Sequence, residues 1–154
     1  MKTKKLVMAA LFTALMFLLT YFCKIPIYNG GYIHLGIVGM VLAMYKLGKY
    51  TGSAAVTLGS LLADWMIAPF WMPWTLVIKP LTAYLIWLSF GKSLTKQILL
   101  ILLAGLVTIA GYYLAEAFIY SNWITPVLST PFLLLEYIAG VIIGFVLVHK
   151  KVLD

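Results

Sequence analysis

Acidic residues are scarce in this 154-residue chain, which has only four aspartates and glutamates against eleven basic residues. Charged side chains make up 10% of the residues and hydrophobic ones 64%, with a mean hydropathy of +1.07. A soluble domain of this size needs a polar shell that such a composition cannot supply. We therefore expect a single membrane domain that covers residues 1–154 and lies in a lipid bilayer.

Arginine is absent, so that every basic residue apart from the two histidines is a lysine. A nucleic-acid-binding protein would gather its basic residues, arginine included, on one face. Here the lysines stand in small groups between apolar runs, which is typical of topology signals. Cysteine is limited to Cys23, which excludes a disulfide within one chain. We expect no nucleic-acid partner.

Long apolar runs dominate the sequence. Each is near the length that a helix needs to cross about 30 Å of hydrocarbon, although the second and third are short. The runs are Leu6–Phe22, Ile33–Leu47, Gly52–Ile67, Trp74–Phe90, Ile98–Ile119 and Pro131–His149. This pattern predicts an all-α integral membrane protein with six transmembrane helices.

The lysines between these runs predict the orientation, because Lys and Arg are enriched in short cytoplasmic loops. With six crossings, only Lys24 falls on the outer side. The inner side holds Lys2, Lys4, Lys5, Lys46, Lys49, Lys92, Lys96, Lys150 and Lys151. We expect both termini to be cytoplasmic.

Several ionisable residues interrupt the apolar runs at one predicted depth, near the outer ends of the helices. Burying such groups unpaired costs several kcal/mol, so their convergence predicts a shared polar cavity that opens outward. Tyr112 precedes Glu116 by one helical turn and shares its face. The predicted ligand contacts are His34, Asp64, Lys79, Tyr112, Glu116 and Glu136. An alternative is a network of Lys79 with a carboxylate that only fixes helix packing.

Tryptophans cluster beside these charges, and Trp71 or Trp74 is expected to stack on a flat ring in the cavity. The alternative is a belt of aromatic residues at the membrane interface. Small residues four apart, Ala10 with Ala14 and Gly140 with Gly144, predict close helix–helix contacts.

The sequence resembles the substrate-binding S components of energy-coupling factor (ECF) vitamin transporters, in the group with the riboflavin and hydroxymethylpyrimidine types. The resemblance covers nearly the whole chain. Related sequences often have an acid at the position of Ile37 and an amide near position 136, where this chain has Glu136. The matching segments are Ala10-xxx-Ala14, Ile25-Pro26-Ile27, Gly30-Gly31-Tyr32-Ile33-His34-Leu35-Gly36, Gly59-Ser60-Leu61-Leu62-Ala63-Asp64, Thr75-Leu76-Val77-Ile78-Lys79, Ala115-Glu116-Ala117 and Pro131-Phe132-Leu133-Leu134-Leu135.

This resemblance implies a protein of the bacterial cytoplasmic membrane that captures a vitamin from outside. It also implies docking, through Ala10 and Ala14, onto a transmembrane coupling subunit with two ATP-binding subunits. The surplus of acids and the tryptophans favour hydroxymethylpyrimidine, thiamine-related compounds or vitamin B6 forms, with riboflavin as a competitor.

Two other functions are compatible with the same residues. One is a self-sufficient proton- or ion-coupled carrier that uses Asp64, Glu116 and Glu136 as a relay. The other is a membrane enzyme using the acids and His34 for acid–base chemistry. The sequence has no metal-ligand spacing, nucleophile elbow or nucleotide motif, so we expect no cofactor and no enzymatic activity.

Overall fold

The computed structural model describes residues 2–27 and 32–150. Some residues named in the sequence analysis lie outside these ranges. They are Asn29 in the predicted first outer loop, Gly30 and Gly31 in a segment that resembles the S components, and Lys151.

Helices form almost all of the described chain. The all-α prediction misses a short two-stranded antiparallel hairpin. In this hairpin Ile25 pairs with Ile33, and Pro26 pairs with Tyr32. In chain order the elements are α1 (Lys2–Tyr21), β1 (Ile25–Pro26), β2 (Tyr32–Ile33), α2 (Gly36–Ile67), a short 3-10 helix (Pro69–Trp71), α3 (Met72–Ser89), α4 (Leu94–Ile119) and α5 (Thr125–His149).

Helix α2 joins two segments that the sequence predicts as separate helices. Gly48 interrupts it with φ 74° and ψ −176°, a backbone conformation that glycine adopts without a steric penalty. The interruption divides α2 into two arms, α2a (residues 36–47) and α2b (residues 49–67). The predicted inner loop between these segments is therefore a kink at one glycine.

Three described segments are long and apolar enough to cross a membrane: Thr3–Tyr21, Leu94–Ile119 and Thr125–His149. The predicted count of six crossings is not confirmed by this criterion and stays a prediction. Most other helix ends differ from the predicted ones by a few residues.

Helix α5 begins six residues before the predicted start at Pro131. Pro126 occupies its first turn, where a missing N–H leaves no hydrogen bond unmade. The Thr130 hydroxyl donates to the Pro126 carbonyl at 2.7 Å, and the Ser129 hydroxyl oxygen lies 3.1 Å from the same carbonyl. Pro131 is therefore inside the helix, and the predicted outer loop 120–130 is shorter than expected.

The two arms of α2 lie at the centre of the bundle and contact α1, α3 and α5. Helices α5 and α2a cross closely because glycines on α5 leave no room for a side chain. A Cβ atom on Gly140 would lie 2.5 Å from the Ile37 Cβ, and one on Gly144 would lie 2.7 Å from the Val41 Cβ. The predicted close contact through Gly140 and Gly144 is confirmed, and its partner is α2a.

One half of the bundle is a packed apolar core. Its fully buried side chains include Met16, Met40, Val41, Met44 and Ile86. Ala10 and Ala14 lie outside this core, on the exposed face of α1.

Candidate ligand cavity

A cavity of about 80 Å³ lies above this core, between the hairpin and helices α2 to α5. A single water molecule needs about 10–15 Å³ of such space, so the cavity is several times larger than one water site. Its wall is formed by Thr20, Ile27, Tyr32, Ile33, His34, Ile37, Ser60, Asp64, Trp71, Thr75, Lys79, Thr108, Tyr112, Glu116, Ser129, Leu133, Glu136 and Tyr137.

Seven of the eight predicted ligand contacts are on this wall. They are His34, Asp64, Trp71, Lys79, Tyr112, Glu116 and Glu136. Trp74 is not among the wall residues; its ring packs against Phe118, with 5.6 Å between centroids. The structure thus places Trp71 on the cavity, and Trp74 in an aromatic contact between α3 and α4.

Asp64 is almost completely buried near the end of α2b, with 4% of its surface exposed. Ser60 lies one turn earlier on the same face. The Tyr32 hydroxyl donates to Asp64 Oδ1, whereas Oδ2 has no partner in the described chain. Burial, followed by the nearby Asp64 carboxylate, raises the pKa of Tyr32. The phenol therefore keeps its proton and acts as the donor of this bond.

Glu116 on α4 and Ser129 on α5 form a second buried pair, in which the Ser129 hydroxyl donates to Glu116 Oε2. Helix α5 reaches Glu116 because it begins before Pro131. A third contact joins α3 to α4, where the Thr75 and Tyr112 hydroxyls are 3.2 Å apart. Asp64 and Glu116 thus each accept a hydrogen bond from a hydroxyl group on another element.

His34 follows β2 and lies against α5. Its Nδ1 is 3.2 Å from Glu136 Oε1 and accepts a hydrogen bond from the Gly36 backbone N–H at 2.9 Å. In the described chain this is the only approach within 4 Å between an acidic and a basic side chain. The hairpin end is therefore fixed to both α2a and α5.

Lys79 is 4% exposed and projects from the middle of α3. None of the described carboxylate oxygens lies within 4 Å of its ammonium group, which is 5.7 Å from the centre of the Tyr112 ring. The alternative in which Lys79 directly pairs with a carboxylate is therefore not present in the described chain. Its positive charge is balanced across the cavity, at longer range.

Four buried polar atoms on the cavity wall lack a hydrogen-bond partner in the described chain. They are Thr20 Oγ1, Ser60 Oγ, Asp64 Oδ2 and Trp71 Nε1. Leaving such an atom unsatisfied costs about 1–3 kcal/mol, and more for a charged group. The set includes a donor, an acceptor and two hydroxyls that can act as either, so a polar molecule in the cavity could satisfy all four.

The floor of the cavity is closed by hydrogen bonds between helices. The Thr82 and Thr108 hydroxyls are 2.8 Å apart, and the Tyr137 hydroxyl donates to the Ile101 carbonyl at 2.7 Å. The apolar core begins directly below. The cavity is therefore a pocket in one half of the bundle.

Comparison with known proteins identifies the family. The family model for the ECF-type riboflavin transporter S component matches residues 1–153. The chain belongs to this S component family. The predicted resemblance is confirmed, and the family is a class of transporter components and not of enzymes.

Two further proteins are similar to this S component. A solved structure described as "Structure and mechanism of the S component of a bacterial ECF transporter" matches with a TM-score of 0.73 and 19% identity, over 97% of this chain and 96% of that one. At this identity the match shows the fold alone. A protein of Pyrococcus woesei, described as uncharacterised and in the gap 3′ region, is 35% identical over 96 residues. The match covers 60% of the S component and 65% of that relative.

Tyr32, Thr20 and Ser129 are wall residues of the S component that the sequence-based site lacks. Tyr32 lies in one of the segments that resemble the S components. Its position two residues before His34 could have predicted that it lies on the cavity wall. Thr20 and Ser129 carry small hydroxyls within apolar helices and give no comparable signal, since such residues also bond within their own helix. Among the described residues, no group of three His, Cys, Asp or Glu side chains could hold a metal ion.

Proposed function

We propose that this S component binds a vitamin or vitamin precursor from outside the bacterial cytoplasmic membrane. It then delivers the ligand through a transmembrane coupling subunit that works with two ATP-binding subunits. The observation that carries the proposal is the group of four unpartnered polar atoms on one cavity wall, among them Asp64 Oδ2 and Trp71 Nε1. Six crossings with both termini inside are part of this proposal.

The charges of the cavity favour a ligand rich in hydrogen-bond donors. Asp64 and Glu116 each accept one hydroxyl hydrogen bond and have further lone pairs to offer. An amino group or protonated ring nitrogen would form charge-assisted hydrogen bonds with them. Trp71 supplies an aromatic surface and an N–H donor at the same wall. These features support hydroxymethylpyrimidine, thiamine-related compounds or vitamin B6 forms.

The size of the cavity does not decide between these ligands. Its volume of about 80 Å³ is below the roughly 150 Å³ of an apolar cavity that holds benzene, so each of these ligands needs the wall to move apart. Riboflavin, which the family name contains, remains the competitor.

The exposed face of α1 supports the docking part of the proposal. Ala10 and Ala14 are exposed there, and small side chains permit close approach of another transmembrane helix. Because this face is outside the cavity wall, docking and ligand binding can be altered separately.

Mass spectrometry of the small molecule that copurifies with the protein is the direct test. Titration calorimetry with hydroxymethylpyrimidine, thiamine, pyridoxine and riboflavin should follow. We expect hydroxymethylpyrimidine, a thiamine-related compound or a vitamin B6 form to be found and to bind. Exclusive binding of riboflavin would overturn the ligand class, and binding of none of the four would overturn the vitamin-binding function.

The transport step has its own test, because a proton- or ion-coupled carrier would need no ATPase. Uptake of the identified ligand should be measured in cells with and without the two ATP-binding subunits. We expect uptake only in their presence. Uptake that continues without them, and stops when the proton gradient is collapsed, would favour the self-sufficient carrier.

A further inference from the structure

The ammonium group of Lys79 is a buried hydrogen-bond donor that no described residue satisfies. The side chain is on the cavity wall and 4% exposed. Among residues 2–27 and 32–150 it has no hydrogen-bond acceptor and no carboxylate oxygen within 4 Å. An ammonium group has three hydrogens to donate and no lone pair, and a buried charge is costly without such partners. Lys79 therefore offers its hydrogens to the space of the cavity.

Trp71 is a second donor on the same side of the cavity. Its Nε1 is buried without a partner in the described chain, and an indole N–H can only donate. Both donors lie against the ring of Tyr112. The Lys79 nitrogen is 5.7 Å from the ring centre, and the Trp71 ring centre is 5.9 Å from it in an edge contact. The Tyr112 hydroxyl is itself 3.2 Å from the Thr75 hydroxyl. This side of the cavity thus presents two groups that need an acceptor.

Asp64 presents the opposite need on the wall of the same cavity. Its Oδ2 is buried and has no donor in the described chain. The Asp64 carboxylate and the Lys79 ammonium are more than 4 Å apart, so that neither satisfies the other directly. A single molecule that satisfies both must carry a donor at one edge and an acceptor at another.

We propose that Lys79 and Trp71 form a subsite for an oxygen atom bound directly to the ligand ring, while Asp64 binds a protonated nitrogen of the same ring. This inference rests on the proposed function and narrows its ligand to the hydroxypyridine rings of the vitamin B6 forms. In water near neutral pH, such a ring holds its proton on the nitrogen and leaves a negative charge on the oxygen. Both ends can then form charge-assisted hydrogen bonds.

The other candidate ligands lack one of these two features. Hydroxymethylpyrimidine and thiamine have basic or cationic nitrogens, but their oxygens are on side chains and not on a ring. Riboflavin has ring oxygens, but none of its ring nitrogens is protonated to a cation near neutral pH. The subsite therefore distinguishes between compounds that the carboxylates alone would accept.

Titration calorimetry of the wild-type protein with pyridoxine and with 3-deoxypyridoxine, which lacks the ring hydroxyl, tests the subsite. We expect pyridoxine to bind about tenfold or more tightly than the deoxy compound. A difference within about threefold would overturn the proposal, because water would then serve Lys79 equally well. Tighter binding of hydroxymethylpyrimidine, thiamine or riboflavin than of pyridoxine would overturn it too, and would leave vitamin binding intact. Binding of none of these compounds would overturn both.

Variants separate the oxygen from the nitrogen, since removal of the ring hydroxyl also makes the ring nitrogen less basic. We expect Lys79→Met to reduce the preference for pyridoxine over 3-deoxypyridoxine to within about threefold. Lys92→Met, at an exposed position between α3 and α4, should keep the full preference. Trp71→Phe retains an aromatic ring without the N–H and should also lower the preference. A full preference in Lys79→Met, or in Trp71→Phe if Lys79→Met does not fold, would overturn the subsite.

Discussion

The phenol of Tyr32 donates a hydrogen bond to Asp64, which lies 32 residues further along the chain. Tyr32 is the first residue of β2, and Asp64 is one turn from the end of α2. This bond therefore connects the hairpin to the cavity wall. It also gives a buried carboxylate one of the donors that it needs.

Replacing Tyr32 by phenylalanine should release this connection. Removing a hydrogen bond to a charged acceptor costs about 1.5–3 kcal/mol, and we expect ligand dissociation to become about tenfold faster or more. Stopped-flow measurement of ligand release gives the rate. Tyr84→Phe is the matched control, since Tyr84 is 44% exposed and away from the cavity. Equal rates in the two variants would show that the hairpin contact does not hold the ligand.

Neutralising the acids of the cavity wall should weaken ligand binding. We expect at least one of Asp64→Asn, Glu116→Gln and Glu136→Gln to lose about 1.5–3 kcal/mol of binding free energy, about tenfold or more in Kd, the scale of a charge-assisted hydrogen bond. Titration calorimetry measures these affinities. If none of the three variants changes affinity beyond about threefold, the acids are not ligand contacts.

The variant Lys79→Met tests whether Lys79 contacts the ligand or serves as a structural counter-ion. Loss of a structural cation should leave buried acids uncompensated and lower the melting temperature. Loss of a ligand contact should lower affinity in a protein that still melts normally. Because Lys79 has no described carboxylate within 4 Å, we expect the second result. Thermal melting and calorimetry on the same preparation distinguish the two.

Leucine at both Ala10 and Ala14 should block docking and leave the cavity intact. The larger side chains would prevent close approach of the coupling subunit, so we expect loss of uptake and of complex assembly with ligand affinity within about threefold of wild type. Ala110→Leu is the control, because Ala110 is exposed on α4. Parallel loss of ligand binding would show that this face of α1 also supports the cavity.

Cysteine labelling tests the orientation in a Cys23→Ser background, which is needed because Cys23 is exposed. Asn122→Cys should react from outside, since Asn122 is exposed in the turn before α5, and Lys49→Cys should react from the cytoplasm. Asn29→Cys, predicted to react from outside as well, probes the part of the outer loop that lies beyond the described residues. Labelling of Asn122→Cys only from the cytoplasm would invert the topology.

Charges within apolar runs made most of the site predictable. Asp64, Lys79, Glu116 and Glu136 stand out because each would be costly in hydrocarbon, and all four line one cavity. The choice between Trp71 and Trp74 was beyond the same reasoning. Trp71 ends the 3-10 helix Pro69–Trp71, whereas Trp74 lies in α3. A 3-10 helix has fewer residues per turn than an α-helix, so the direction of each ring cannot be read from hydropathy.

Helix ends were harder to predict at proline, which can begin a helix or lie inside one, and at glycine, which can lie in a loop or in a kink. Pro131 suggested a helix start, but Pro126 serves that role, and the Thr130 hydroxyl donates to the carbonyl of Pro126. The second and third predicted runs are separated in the structure by a kink at Gly48, whose φ of 74° is non-helical. The contact between His34 and Glu136 depends on how the hairpin end packs against α5, which residue identity could not supply.

The hydrogen bond between Thr82 and Thr108 lies at the end of the cavity that faces the apolar core. Under the proposed function, a cavity bounded in this way stores a molecule, and release on the other side of the membrane needs a further step. The cavity has room for one small molecule, so each protein molecule can bind and release one ligand in each cycle. Uptake at saturating ligand should therefore rise in proportion to the number of copies per cell until the machinery that empties them becomes limiting.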